Sequence, residues 1–234
     1  MGSFVDIASS ILFQSERRTE ISAQNIANLS TAGYKRRIPF AQLIDPLNSP
    51  GDRSDAQSFV TDYAAGKPIG TDNPLDFSLS GPGFFVVQGP DGPVYTRQGQ
   101  FTRDGDGRLV TLQGLPVLAQ GGGDIVIKAQ TFTVAQDGTV LENGQPTSRL
   151  EVIDFIDRKA VARTENGQFT TPPSNAVEVD APVIRQGALE SSNVSTGDEM
   201  VSIMESLRRA EAAQRLINVY DDLMGRTFQV LGES

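Results

Sequence analysis

Apolar residues recur at heptad spacing near both ends of the chain, which predicts two amphipathic helices. The N-terminal positions are Val5, Ala8, Leu12, Ser15, Thr19, Ser22, Ile26 and Leu29, of which five are apolar and the middle three are small and polar. The C-terminal positions are Met200, Ile203, Leu207, Ala210, Gln214, Ile217, Asp221, Met224 and Phe228, of which seven are apolar. A capping-box pattern over residues 196–199 predicts where the second helix begins.

Between these ends the hydrophobic pattern shortens to runs that are typical of strands. The predicted strands are Phe77–Leu79, Phe84–Val87, Arg108–Leu112, Ile125–Ile127, Phe132–Val134 and Leu150–Phe155. Turn pairs such as Asp91-Gly92 and Asn143-Gly144 separate them, so we expect an antiparallel sheet, sandwich or barrel. The residues expected in its core are Phe84, Phe85, Val87, Leu109 and Ile153.

The predicted fold class is therefore α+β, with a sandwich- or barrel-like all-β central domain flanked by N- and C-terminal helices. We expect the helices to pair into a coiled-coil-like assembly domain. The predicted divisions are an N-terminal helix of that domain at 1–45, an extended connector at 46–72, the β-rich domain at 73–187 and the C-terminal helix at 188–234. Proline and glycine punctuate the connector, which favours an extended conformation.

Each terminal helix has one apolar face, and the pattern offers no evident place on the β domain to bury it. An apolar face without an internal partner favours contact with neighbouring molecules. The alternative is an ordinary α+β domain in which both helices pack on the sheet. Hydrophobic pattern alone leaves both interpretations open.

Composition and charge exclude several kinds of chemistry. The chain of 234 residues has no cysteine and no histidine, which excludes thiolate catalysis, disulfides and a Ser/His/Asp triad. The net charge of −9 argues against binding nucleic acid. No stretch approaches about 20 apolar residues, so no membrane span is expected. We expect no cofactor, no metal and no catalytic residues. The first apolar run lacks a basic leader and contains Asp6, so we expect no cleaved signal peptide.

One block of the sequence is specific enough to indicate a family. Residues 25–36 read Asn-Ile-Ala-Asn-Leu-Ser-Thr-Ala-Gly-Tyr-Lys-Arg. This closely resembles the N-[IL]-A-N-x-x-T-x-G-[FY]-K signature of flagellar rod and hook proteins. Residues 73–87, 95–118 and 186–194 resemble further blocks of that family, so the resemblance spans almost the whole chain.

The resemblance implies a non-catalytic structural subunit of the bacterial flagellar basal-body rod. Such proteins polymerise helically through their terminal helices into the drive shaft for motility, which crosses the periplasm. It implies other rod subunits and the flagellar type III export apparatus as partners, and export without a cleaved signal. Within the family the chain is most similar to the proximal-rod type F subunits. The alternative is a distal-rod (type G) or hook-like subunit.

From other classes, an extracellular β-rich enzyme or an adhesin stays open, although no motif supports either. A carboxylate-based glycosidase, for example, would need two acidic side chains facing each other about 5–10 Å apart.

The candidate site is a subunit interface. Its residues are Leu12, Asn25, Ile26, Asn28, Leu29, Gly33, Lys35, Met200, Ile203, Leu207, Ala210, Ile217 and Met224. The asparagines are expected to form polar contacts between subunits or to cap the end of the first helix. Gly33 is expected to have a positive φ. Lys35 is expected to contact an acidic neighbour or to lie on a solvated face.

Overall fold

The computed structural model describes residues 3–39, 59–164 and 166–232. Two long helices flank the β-rich part: α1 spans Ser3–Ala27 and α2 spans Thr196–Gly232. No glycine or proline interrupts α1, and Asp198 and Glu199 lie in the first turn of α2, where acidic side chains favour a helix start. The 37 residues of α2 correspond to a length of roughly 55 Å.

The described residues form two compact units. The helical unit comprises the described residues of Met1–Asn28, Arg36–Asp62 and Val194–Ser234, and the β unit comprises those of Leu29–Lys35 and Tyr63–Asn193. The chain therefore passes between the units four times. The short segment Leu29–Lys35, which lies within the family-like block, belongs to the β unit although α1 precedes it.

Within residues 3–39, 59–164 and 166–232, seventeen short strands are distributed over the two units. The helical unit contains β1 (Arg37–Pro39) and β2 (Phe59–Thr61). The β unit contains β3 (Pro68–Gly70), β4 (Phe77–Leu79), β5 (Phe84–Gly89), β6 (Gly92–Thr96), β7 (Phe101–Arg103), β8 (Leu109–Thr111), β9 (Phe132–Val134), β10 (Thr139–Glu142), β11 (Gln145–Arg149), β12 (Val152–Phe155), β13 (Ala162–Arg163), β14 (Phe169–Thr170), β15 (Ala176–Glu178), β16 (Ile184–Gln186) and β17 (Ala188–Glu190).

The strand pairings between these elements are antiparallel. The largest sheet has the order β13-β14-β6-β5-β12-β15, and a second sheet has the order β11-β10-β9. Two-stranded ladders join β7 to β8, β16 to β4, β17 to β3, and β1 to β2. The turn between β10 and β11 uses Asn143 and Gly144 with φ of 51° and 80°, as a tight hairpin requires.

Two apolar clusters form the core of the β unit. The larger contains Phe77, Phe85, Phe101, Leu109 and Ile125, together with ten other buried residues. The smaller is aromatic, and the rings of Phe84 and Phe155 lie 4.6 Å apart within it. Both clusters consist of residues from this unit alone, so the β unit has a core of its own.

The prediction of an N-terminal helix, a mostly β central region and a C-terminal helix is confirmed. The five expected core residues are all buried. The predicted strand at 125–127 is not one, because Val126 forms only an isolated bridge to Arg108, although Ile125 and Ile127 are buried. Of the predicted connector, residues 46–58 lie outside the described part, and residues 59–72 include β2 and β3.

Candidate assembly site

The two terminal helices contact each other through small and polar side chains. The buried positions of α1 are Ala8, Ser15, Ile21, Ser22 and Asn25, and those of α2 are Glu199, Ser206 and Ala213. The Ser22 hydroxyl donates to the Ser202 hydroxyl across the contact at 3.2 Å. Small side chains let the two backbones approach closely, but they bury little apolar area, and buried apolar area is what stabilises a helix pair in water.

Large apolar side chains of both helices point away from this contact. On α2, Met200, Met204 and Leu207 are exposed at 3-4 spacing, and Leu207 is 53% exposed. The exposed apolar residues farther along are Leu216, Val219, Leu223 and Met224, and on α1 they are Phe4, Val5, Ile7 and Phe13. We call Met200, Met204 and Leu207 the outer stripe of α2. The helical unit therefore exposes more apolar side chains than its helix contact buries.

A polar cluster lies where α1 ends and α2 begins. The amide of Asn25 pairs with the backbone of Arg37 in both directions, donating to its carbonyl at 2.8 Å and accepting from its N–H at 2.9 Å. The same amide donates to the Glu199 carboxylate at 3.1 Å, which also accepts from the Arg36 guanidinium at 2.6 Å. The Glu199 side chain therefore binds α1 and the segment after α1. The capping-box pattern had predicted that it would bind the backbone at the start of α2.

The segment Leu29–Lys35 fits tightly against the rest of the β unit. The N–H of Gly33 donates to the carbonyl of Glu190 at 2.7 Å, and its φ is +66°, as predicted. A Cβ at this position would lie 2.2 Å from the Arg97 carbonyl oxygen, so only glycine fits. The guanidinium of Arg163 lies 4.4 Å from the ring centre of Tyr34 and donates to the Lys35 carbonyl at 2.7 Å.

Three charged side chains are buried together behind this segment. The Lys35 ammonium donates to the Glu190 carboxylate at 2.6 Å and to the Ala64 carbonyl at 2.8 Å. The Arg97 guanidinium donates to the other Glu190 oxygen at 3.0 Å and to the Gly81 carbonyl at 2.6 Å. All three side chains are at most 5% exposed. Burial lowers the pKa of Arg97, and the Glu190 carboxylate opposes that shift.

The sequence-predicted interface residues fall into three classes of exposure. Asn25, Gly33 and Lys35 are buried, Leu12, Ile26, Asn28, Ile203, Ala210 and Ile217 are half-buried, and Leu29, Met200, Leu207 and Met224 are exposed. Asn28, the residue after α1, donates its side-chain amide to the carbonyl of Gln24 in the last turn of that helix, at 2.8 Å. The side chain of Phe228 lies outside the described residues. Lys35 binds an acidic residue of its own chain, Glu190.

The residues of this site that sequence reasoning missed include Arg97, Glu190, Ser206 and Ala213. A signal for the last two existed, because Glu199, Ser206 and Ala213 recur every seven residues, as do Ala8, Ser15 and Ser22. Small residues at heptad spacing indicate closely packed helices as much as apolar ones do. Arg97 and Glu190 carry no such signal, since a buried ion pair depends on contacts between residues far apart in sequence.

The described residues give no sign of a metal or membrane site. No group of three acidic side chains in the described ranges is placed to hold a metal ion. Likewise, no helix within 3–39, 59–164 and 166–232 has the length and hydropathy of a membrane span.

Terminal helices that expose apolar side chains, joined to a β unit with its own core, are typical of structural proteins that associate with other subunits. Two family models match the chain. Residues 78–142 match the flagellar hook protein FlgE/F/G D1 domain, and residues 185–230 match the C-terminal region of the flagellar basal body rod FlgEFG proteins.

Curated relatives extend this similarity over nearly the full length. The flagellar basal-body rod protein FlgF of Escherichia coli is 32% identical over 243 residues, covering 94% of this chain and 95% of the relative. FlgF of Caulobacter vibrioides is 31% identical over 229 residues, with 93% of each chain covered. A rod protein FlgG from Buchnera aphidicola is 27% identical over 90% of this chain and 92% of its own. The chain belongs to the flagellar basal-body rod protein family, in which it resembles type F, and it is a structural subunit of the rod.

Proposed function

We propose that this subunit polymerises helically in the proximal rod, through terminal helices that pair as a coiled coil and bind neighbouring subunits. The observation that carries the proposal is the outer stripe of α2. Three large apolar side chains at 3-4 spacing are exposed, although burying each would contribute roughly 1.5–3 kcal/mol. A neighbouring subunit that packs on these three side chains would bury them and so explain why the single chain exposes them.

In this proposal the predicted interface residues divide their roles. Leu29, Met200, Leu207 and Met224 contact neighbouring subunits directly. The half-buried Leu12, Ile26, Asn28, Ile203, Ala210 and Ile217 serve both the helix pair and its neighbours. Asn25, Gly33 and Lys35 support the interface from inside the chain, because their contacts hold the segments next to the helices.

We further propose that the subunit acts without catalysing a reaction, lies in the periplasmic part of the basal body and reaches it through the flagellar type III export apparatus. The structural role of the family supports the first point. The chain has no histidine and no cysteine, so it lacks the commonest general base and a thiolate nucleophile. Its charge of −9 argues against nucleic acid as a partner.

Leu207→Asp tests the interface. In the free subunit the new carboxylate stays in water, because Leu207 is exposed. In the rod it would be buried unpaired, at a cost of several kcal/mol in every subunit. We expect the purified variant to melt like the parent, while cells carrying it as their only copy lose motility and yield no complete basal bodies.

Two matched variants sharpen the test. Leu207→Met keeps the apolar side chain and should leave motility intact. Arg208→Asp places an acid at the next exposed position, off the outer stripe, and should be tolerated. Normal rods with Leu207→Asp would contradict the proposal. A lowered melting temperature of the free subunit would instead show that α2 uses this face inside its own chain.

A further inference from the structure

We infer that Lys35, Arg97 and Glu190 form a charge cluster that closes the β unit, so that this unit completes its fold only when residues from both sides of it are in place. Lys35 comes from the segment that follows α1, and Glu190 comes from the strand β17 that precedes α2. Arg97 belongs to the middle of the unit. The cluster therefore joins three parts of the chain that are separated by 62 and 93 residues.

The segment Leu29–Lys35 has few apolar contacts to hold it. Tyr34 is its one buried large apolar residue, and Leu29 is exposed. Its attachment includes main-chain hydrogen bonds, the Arg163–Tyr34 contact and the Lys35 ammonium. The Gly33 N–H donates to the Glu190 carbonyl, and the Asn193 N–H donates to the Tyr34 carbonyl at 3.4 Å. Charge and hydrogen bonds therefore fix this segment more than apolar burial does.

Glu190 is the centre of the cluster. Its Oε1 accepts from the Lys35 ammonium and from the N–H of Gly66 at 2.8 Å, and its Oε2 accepts from Arg97. Gly66 approaches the chain beside Glu190 so closely that a Cβ would lie 1.8 Å from the carbonyl oxygen of Ser191. Three segments of the β unit thus converge on one carboxylate.

Two buried cations of the cluster bind the same carboxylate, that of Glu190. Removing Glu190 would take this shared carboxylate from both cations at once, which is strongly destabilising. Removing Lys35 would leave a neutral Arg97–Glu190 pair and release the segment Leu29–Lys35. The order of effects is therefore fixed by charge: losing the carboxylate costs more than losing either cation.

This arrangement makes closure of the β unit conditional. Until β17 has paired with β3, the Glu190 carboxylate is not in place beside the Arg97 guanidinium. The fold around Arg97 is therefore incomplete in such a chain. Docking of Glu190 then provides the site for Lys35, and the residues after α1 come to lie beside those before α2. The cluster thereby brings the two chain exits of the β unit together.

A double-mutant cycle on the purified full chain tests this inference. We expect Glu190→Gln to lower the melting temperature by about 10 °C. Lys35→Met should lower it less. Adding Lys35→Met to Glu190→Gln should lower the melting temperature by less than Lys35→Met does alone, because the contact between Lys35 and the carboxylate is already lost. Lys67→Met, at an exposed lysine of the same unit, is the matched control and should change nothing.

Amide hydrogen exchange gives a second, local measurement. In Lys35→Met the residues 29–35 should lose protection while the core strand β5 keeps it. If Glu190→Gln does not yield folded protein, Lys35→Met alone decides, since the neutral pair it leaves should allow folding. Unchanged protection at 29–35, or losses of melting temperature that simply add in the double variant, would overturn the inference.

Discussion

The two units of the chain are built on opposite principles. The β unit places its large apolar side chains inside, in two clusters in which six phenylalanine rings each lie 4.6–6.0 Å, centre to centre, from another phenylalanine ring. The helical unit buries serines, alanines and an asparagine between its helices and leaves Phe13, Met204 and Leu207 exposed. Apolar side chains are therefore buried within one unit and exposed in the other, where the proposed contacts with neighbouring subunits would cover them.

This difference separates stability from assembly. A unit that buries its own apolar side chains is stable as a single molecule, whereas a helix pair held by small and polar contacts depends on neighbours. Two spectroscopic signals can follow the units separately. Tyr34, Tyr63 and Tyr95 lie in the β unit, so tyrosine fluorescence reports mainly on that unit, while ellipticity at 222 nm reports mainly on the helices.

The largest effect is expected from Phe85→Ala in the β unit. Phe85 is fully buried and lies 5.4 Å from Phe101, ring centre to ring centre. Removing its ring should lower the free energy of unfolding by about 3–5 kcal/mol, because a cavity remains. In denaturant titrations of the purified chain, the tyrosine transition should move and the helix transition should stay.

The control for this prediction is Leu112→Ala, since Leu112 is 63% exposed. It should change the free energy of unfolding by less than about 0.5 kcal/mol. If Phe85→Ala shifts both transitions equally, the two units unfold together and the comparison between them fails.

Sequence pattern predicted the β unit better than the helical unit, for a physical reason. A strand run such as residues 84–87 is apolar because it is buried in its own unit, so pattern and burial agree. On α2 the predicted apolar pattern shares Met200 and Leu207 with the outer stripe, while the buried contact positions Glu199 and Ser206 each lie one residue earlier. One residue is a rotation of about 100° on a helix, enough to exchange one face for another.

The candidate site was predictable only where one segment carries it. The block at 25–36 could be found by its resemblance, and Gly33 by its turn position. The sequence could not show that this block is divided between the two units. That division depends on contacts with Glu190 and Glu199, which are more than 150 residues away. Pairing of this kind is a property of the folded chain and leaves no local periodicity.

A medium effect is expected from Ser22→Leu in the helix contact. Ser22 is fully buried and bonds Ser202, so three additional carbon atoms must displace the opposite helix. Overpacking of this kind costs about 1–3 kcal/mol. The transition followed at 222 nm should move to lower denaturant while tyrosine fluorescence stays unchanged.

Ala23→Leu is the matched control, because Ala23 is the next residue of α1 and is exposed. It adds the same bulk to water and should leave the helix transition in place. An unchanged transition with Ser22→Leu would mean that the small residues do not form a close contact, and the contrast between the units would lose its structural basis.

The smallest effect is expected from Glu151→Gln. This variant tests whether a partly buried carboxylate destabilises the β unit at neutral pH. Burial raises the pKa of the half-buried Glu151, and the nearby Glu178 carboxylate raises it further. A carboxyl whose folded pKa is raised contributes stability below its unfolded pKa of about 4.3 and loses that contribution as the pH rises through the folded value. At pH 7 the ionised Glu151 is therefore unfavourable, so glutamine should raise the melting temperature by about 1–2 °C, and the gain should vanish below about pH 4.

Asp137→Asn should behave in the opposite way. The Thr139 N–H and hydroxyl donate to the Asp137 carboxylate at 3.1 and 2.9 Å and lower its pKa. Its ionised form therefore adds stability above the unfolded pKa of about 3.9, and that contribution is lost as the pH falls through the folded value. Melting curves of both variants between pH 3 and pH 8 should diverge from the parent in opposite directions as the pH rises, and shifts of the same sign would show that burial does not govern Glu151.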